Sequence, residues 1–463
     1  MPTSSSPHRS PPPLAVLHPN AAGLDIGARE IWVAVPTDRD PEPVRYFGTF
    51  TQDLKKLVAW LKQCRIDAVA MESTGVYWIP VFELIEQSGM TAALIEPRQL
   101  KKVPGRKSDV LDCQWCQQLH RFGLLTASFR PDAEMRTLRA YLRHRAQLIE
   151  HRAPHTRSVH IPKALQYVNV QVHHALSDIM GVTGQKILRA IVAGERDPQQ
   201  LATFREPGCK KDAATIAAAL TGQWQPEYVF VIQQSLALYD AYTTQLAECD
   251  RVLEKQYATC KPRWDGPDTL PDLPPVKPNS KSKNQPAFNV RAHLFRLTGV
   301  DLVAMKGISQ SIAQTVVAEV GTDTPALACG ASVSQFPTSK HFCSWLGLAP
   351  HNDISGGKIL RSRTLKTDNR AGQALRQAAQ ANTKSQSVFG AYYRRKRAYL
   401  GPEQATVATA HKIARVVYHL LKYRVAYEPL SAKDYDRQWQ DREFAALKKK
   451  AAKLGFSLTA QPT

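Results

Sequence analysis

The stretch Gly23-Leu24-Asp25-Ile26-Gly27, followed after Ala28-Arg29-Glu30 by Ile31-Trp32-Val33-Ala34-Val35, decides the fold. Each half is a short apolar run, and the glycine between them permits a tight turn, so the pair reads as two strands of one sheet. Arg45 to Phe50 predicts a third strand. Leu54, Leu57, Val58 and Leu61 then recur at helical spacing. Asp67 to Met71 returns to a strand texture that ends at Glu72, Pro80 to Gln87 suits another helix, and Thr91 to Ile95 suits a further strand. Strands alternating with helices predict an α/β layer built on a mixed sheet.

Outside this block the texture changes. Residues 1–20 are rich in Pro and Ser without apolar periodicity and read as a disordered tail; the α/β domain spans 21–130. Glu96 to Asp109 is a polar, basic loop carrying Arg98, Lys101, Lys102, Arg106 and Lys107. From Val110 to Leu176 the pattern is long and helical, and residues 131–260 form a helical intermediate region. Residues 261–292 hold seven prolines with Asn, Ser and Lys, a composition that buries too little to fold, and read as a linker or long exposed loop. A second compact, mostly helical domain is expected over 293–425, with a polar loop at His351 to Lys358, and a basic tail over 426–463.

The chain has 463 residues with 61 Lys plus Arg against 40 Asp plus Glu, a formal charge of +21. That excess repels itself in a compact fold unless a polyanion screens it, and nucleic acid is the commonest such partner. An apolar fraction of 43% excludes wholesale disorder. No run approaches the ~18 apolar residues of a bilayer span, and the start lacks the apolar core of a secretory signal, so no membrane and a cytoplasmic setting are expected. The eight cysteines are scattered; Cys113 and Cys116, a lone C-x-x-C without a second pair, read as small helix residues facing a core.

Four acids sit where a metal-dependent nuclease needs them: Asp25 on the first strand, Glu72 at the end of a later one, and Asp109 with Asp112 opening a helix. The last two are three apart and project from one helical face. Hard cations such as Mg²⁺ take oxygen ligands, and two of them ~3.5–4 Å apart can clamp the attacking and leaving oxygens of a phosphodiester. Acids at strand ends and helix starts are common for ordinary reasons. Yet a carboxylate flanked by Leu24 and Ile26, or following Met71, is costly to bury without a cation or hydrogen bonds.

These motifs, Gly23-Leu24-Asp25-Ile26-Gly27, Met71-Glu72-Ser73-Thr74-Gly75-Val76-Tyr77-Trp78 and Lys107-Ser108-Asp109-Val110-Leu111-Asp112, resemble the DEDD-type transposases of bacterial insertion sequences. The resemblance implies an RNase H-like, RuvC-like catalytic domain in which the four acids bind Mg²⁺. The second half is also similar to that family. Lys306-Gly307-Ile308-Ser309 stands where it carries a Pro-Gly-Ile-Gly turn of helix-hairpin-helix type, and two of the four residues differ. Trp345-Leu346-Gly347-Leu348-Ala349-Pro350, then Ser355-Gly356-Gly357-Lys358, matches its Gly-Leu-x-Pro and Ser-Gly run. The resemblance implies that Ser355 is a nucleophile that becomes linked to DNA, activated by an acidic centre from another protomer. It also implies a homo-oligomer, dimer or tetramer, guided by a bridge RNA that pairs with donor and target DNA.

On residues alone, Ser355 is a hydroxyl in a Gly-rich segment beside Lys358 and Arg361, which could hold a phosphate, although a serine before two glycines is more often just a turn. Tyr392-Tyr393-Arg394-Arg395-Lys396-Arg397 sets aromatics beside cations, suited to stacking and phosphate contact, or else forms a solvated helix face. The expected protein is thus an RNA-guided DNA recombinase of the bacterial cytoplasm, associated with the nucleoid. Its rivals are a junction-resolving metal nuclease that uses water as nucleophile, and a non-enzymatic nucleic-acid binder.

Overall fold

The computed structural model describes residues 14–73, 75–100, 109–156, 160–264, 266, 273, 284–322, 333–364, 369–429 and 431–457. The chain divides into two compact units, Met1–Arg130 and Pro131–Thr463.

In the first unit the order is β1 (Ala21–Ile26), β2 (Glu30–Ala34), β3 (Val44–Gly48), α1 (Thr51–Gln63), β4 (Ala68–Glu72), α2 (Trp78–Gln87), β5 (Thr91–Ile95), α3 (Pro97–Leu100) and α4 (Asp109–Arg121). The sheet runs β3-β2-β1-β4-β5; the first three strands pair antiparallel, and β1, β4 and β5 pair parallel. This is the mixed sheet of an RNase H-like fold. Alternation along the strands sorts the two faces. Leu24, Val69 and Met71 point to the thick core that α1 and α2 close with Leu54, Leu57, Leu61, Val81, Phe82 and Ile85. Burying each such side chain is worth ~1.5–3 kcal/mol, so this face holds the unit together. The opposite face carries the small residues Gly23, Ala70 and Ala93, and α4 lies on it through Cys116.

Two details depart from the sequence reading. Leu17 and His18 belong to the expected tail, yet both donate their backbone N–H to Arg121 O, and Asn20 bonds Asp67. The expected tail segment is therefore tied to the end of α4 and the start of β4. The helical pattern after Val110 also breaks between α4 and the next helix, where Gly123 turns with φ +68° against Leu17 and Pro131 follows.

The second unit begins with helices α5 (Ala133–Thr156), α6 (Ile161–Tyr167), α7 (Val172–Ala175), α8 (Val182–Val192), α9 (Pro198–Thr203), α10 (Ala213–Leu220) and α11 (Pro226–Thr259). It continues with α12 (Val290–Thr298), α13 (Gln310–Val320), α14 (Ser339–Trp345), β6 (Pro350–Ser355), β7 (Lys358–Thr364), α15 (Arg370–Ala381), α16 (Val388–Leu400), α17 (Pro402–Tyr423) and α18 (Ala432–Lys453). The sequence suggests a separate domain after the Pro-rich stretch, whereas the structure keeps both sides in one unit. Buried Glu319 of α13 accepts from Arg139 and, at 2.9 Å, from Arg143, both on α5. Buried Arg145 of α5 forks onto Asp250 of α11, and its Nη1 donates to Asn284 O. Such pairs fasten the helices because removing one partner would strand a charge, at ~3–5 kcal/mol. Most of residues 261–283 lie outside the described residues. No helix among the described residues is long and apolar enough to cross a membrane.

Candidate active site

Leu24 pairs with Met71 in the parallel register of β1 and β4, so the next residues, Asp25 and Glu72, stand level at the carboxyl ends of neighbouring strands. Both belong to the alternation that carries Gly23 and Ala70, which puts them on the face that α4 covers. What lets α4 approach is a missing side chain. A Cβ on Gly23 would lie 2.2 Å from Gln117 N and 2.4 Å from Cys113 O, inside the backbone of the helix. Gln117, itself buried, fastens that contact by donating Nε2 to Ala21 O at 3.2 Å.

Because Gln117 meets Ala21 while Cys113 meets Gly23, the start of α4 lies toward the carboxyl end of β1. Its first turn carries exposed Asp109 and half-buried Asp112. Asp25 and Asp109 line a common cleft of about 330 Å³ with Gly27, Arg29, Glu30 and Trp32. The two thiols beneath register the acids electrostatically. Cys113 is pushed up to about 12, first by burial and then by Asp25 and Asp112. Cys116 is likewise pushed up to about 12, by burial and then by Cys113, Glu72 and Asp25. Both stay protonated packing residues, as their place on the core side of the helix suggests.

The structure thus brings the four acids to one face and one end of the sheet. It does not close them up: among the described residues no three His, Cys, Asp or Glu side chains are grouped tightly enough to hold a metal ion. The donor chemistry, carboxylate oxygen only, suits a hard divalent cation. Sequence reasoning missed Gly23 and Gln117, which set the height of the helix. The signal was available, since Gly23 stands two residues from Asp25 and therefore shares its face.

Ser355 lies in the other unit, and here the expected polar loop is instead a β-hairpin. β6 and β7 pair antiparallel with Ser355 opposite Lys358, joined by Gly356 (φ +56°) and Gly357 (φ +75°). A two-residue hairpin turn of this kind needs positive φ at both central positions, which explains the Gly-Gly. One extra residue, Leu360, interrupts the register, so Ile359 faces Ile354 while Arg361 faces Asp353. Every residue from Pro350 to Arg363 is exposed, including Ile354, Ile359 and Leu360.

The Lys306–Ser309 turn is fastened rather than open. Asn382, which caps the end of α15 and is fully buried, donates Nδ2 to Lys306 O at 2.7 Å, and a Cβ on Gly307 would fall 2.0 Å from that nitrogen. Ser309 caps α13 by accepting from Ile312 N, a helix-starting role that a glycine fills less well.

The basic candidates separate. Arg98 is exposed on α3 with Nε 3.4 Å from Glu96, whereas Lys101, Lys102, Arg106 and Lys107 lie outside the described residues. Lys358 and Arg361 are exposed on the hairpin. On α16, Arg394 donates to Ser385 O, Arg397 is exposed, Arg395 pairs with Asp436, and Lys396 meets the Tyr399 hydroxyl.

Residues 22–166 match a transposase family, the DEDD transposase domain of the IS110 type. Residues 301–394 match a second, the transposases of the IS116/IS110/IS902 family. No curated protein matches the chain. An RNase H-like sheet with acids at the strand ends, joined to a transposase domain, defines an enzyme that acts on DNA: a DEDD transposase. More particularly, the chain belongs to the IS110 family of insertion-sequence transposases. DEDD domains generally use divalent metal ions.

Proposed function

We propose that this transposase cleaves and rejoins DNA through a phosphoserine intermediate at Ser355, with Asp25, Glu72, Asp109 and Asp112 as the carboxylates that hold Mg²⁺, two ions per site. The observation that carries the acidic half is the level placement of Asp25 and Glu72 on the face where Gly23 admits the start of α4. When bound, the ions supply charge stabilisation to the phosphodiester in flight. The chain's own residues do the rest. Ser355 Oγ forms a bond to phosphorus as the bond to the leaving DNA oxygen breaks; the serine gives up its proton and the departing hydroxyl takes one. Lys358, directly across the hairpin, and Arg361 hold the phosphate and offset its growing charge. Attack by the hydroxyl of a second DNA end restores the serine and exchanges strands.

Two further parts of the reading rest on the family resemblance: a bridge RNA that pairs with donor and target DNA, and a working dimer or tetramer in the bacterial cytoplasm, at the nucleoid. The charge of +21 supports a polyanionic partner, and the exposed cations Arg98, Arg394 and Arg397 support phosphate contact. So do Lys101, Lys102, Arg106 and Lys107 by composition.

Labelled DNA incubated with the protein and Mg²⁺ tests the chemistry. A covalent protein–DNA adduct that disappears in Ser355→Ala is the expected result. Nicked DNA with free ends and no adduct, unchanged in that variant, would mean that water attacks and that the enzyme is a resolving nuclease instead.

A further inference from the structure

α16 and α17 present a row of cations set among aromatic rings, and α18 lies on it. Tyr435 of α18 has its ring centre 3.8 Å from Lys412 Nζ and 4.8 Å from the guanidinium carbon of Arg395. Trp439, one turn on, lies 4.4 Å from that same carbon. Between these two rings in sequence, Asp436 accepts from Arg395 Nη2 at 2.9 Å. Behind them Lys412 and Lys396 face Tyr392 at 4.7 and 5.7 Å. Flat rings stacked on cations, with an anionic oxygen between them, reproduce what a base, a phosphate and a second base would offer the same surface.

α18 makes this arrangement while otherwise solvated: from Lys433 to Lys450 every residue is exposed except half-buried Tyr435. A helix held by so few contacts is readily exchanged. The surface beneath it is also under-served. Arg395 Nη1 is buried without a hydrogen-bond partner among the described residues. Burial, together with Arg395, Arg442 and Arg415, presses Lys412 down to about 8, a crowding of like charge that a polyanion relieves.

We propose that Tyr392, Arg395, Lys396 and Lys412 form a binding site for single-stranded DNA, and that α18 occupies it as an internal mimic that the strand displaces. DNA is the occupant because the enzyme acts on DNA, and the strand is single because stacking requires base faces that a duplex hides. The inference rests on the reading of the Tyr392–Arg397 cluster as a nucleic-acid contact, and adds which of its residues bind, their partner Lys412 on α17 and what guards them.

The test titrates the full chain and a Tyr435→Ala/Trp439→Ala variant against a labelled single-stranded oligodeoxynucleotide of about twenty nucleotides, by fluorescence anisotropy. Freed of its mimic, the variant binds about tenfold tighter, and adding Lys412→Ala removes the gain. In the unsubstituted chain the oligonucleotide accelerates amide exchange in α18. Unchanged or weaker binding by the double variant overturns the proposal, as does an equal gain with duplex DNA, a gain with RNA alone, or increased protection of α18. Asp436→Asn, which leaves both rings in place, gives a smaller gain in the same direction and guards against misfolding of the double variant; no gain there counts against the mimic. The two levels of the reading fail differently. If Arg395→Ala and Lys412→Ala leave binding untouched, the cluster is no nucleic-acid contact at all. Should they weaken it while the double variant shows no gain, the contact stands and the mimicry is lost.

Discussion

The acids and the serine are held in opposite ways. Asp25, Glu72, Asp109 and Asp112 stand on a sheet and a helix pressed together so closely that Gly23 has no room for a methyl group. Ser355 stands at the tip of a two-stranded hairpin with every residue from Pro350 to Arg363 in solvent. A hairpin exposed along its length buries little against the folded core, and two strands alone are only marginally stable in water. One half of the proposed chemistry is therefore built by folding, and the other is presented to whatever binds it. Substitutions chosen as pairs across this divide sharpen or break the contrast.

The largest effect is chemical. Asp25→Ala should lower DNA cleavage and strand transfer by roughly a thousandfold while most DNA binding remains, since an acid aimed at the reacting phosphate contributes to the transition state rather than to affinity. Cleavage and a gel-shift titration on the same preparation check this. Full activity in the variant would remove Asp25 from the proposed centre.

Next in size is Gly23→Ala. Its Cβ meets helix backbone, which cannot yield as a flexible side chain can, so the cost falls at or beyond the top of the ~1–3 kcal/mol usual for overpacking. Thermal unfolding should shift down by several degrees, and activity should fall with it because the acids of α4 move away from those of the sheet. An unaltered melting curve would show that the helix is not set by this contact.

A third effect depends on pH. His120 near the end of α4 is buried, stacked on His18, with neither ring nitrogen hydrogen-bonded among the described residues. Burial pushes it down to about 4 from its ordinary 6.5. The folded state thus favours the neutral ring, and the unfolded chain binds the extra proton between those values. His120's share of stability is complete above about pH 6.5 and drains away as pH falls toward about 4. Melting temperature should fall as pH is lowered through that window, and less steeply in His120→Phe.

Much of this was legible in the sequence, for identifiable reasons. The strand alternation around Asp25 and Glu72, and the i,i+3 pair Asp109 and Asp112, are local patterns, so the sheet and the placement of each acid could be read from neighbours in the chain. The approach of α4 could not, because it depends on a glycine meeting a residue 94 positions on, Gln117. His351 to Lys358 read as a loop because a polar, Gly-rich run looks alike in a turn and in an exposed hairpin; only the positive φ of both glycines separates them. Leu17 and His18 looked like tail because their anchors are backbone bonds, which composition does not encode.

The smallest effect tests the weaker side of the comparison. Gly356→Ala places a methyl group where nothing lies within 4 Å, so sterics with the surroundings cost nothing. The cost is internal: at φ +56° an L residue is strained by ~1–2 kcal/mol. That strain loosens the turn and the pairing of Ser355 with Lys358, but the hairpin is solvated along its length, so the melting midpoint should stay within error while amide exchange at Lys358 and Ile359 quickens. The same glycine-to-alanine change thus costs the whole fold at Gly23 and only the local turn at Gly356. A drop in midpoint as large as that of Gly23→Ala would mean that the hairpin is part of the core after all, and that the serine, like the acids, is held in place by folding alone.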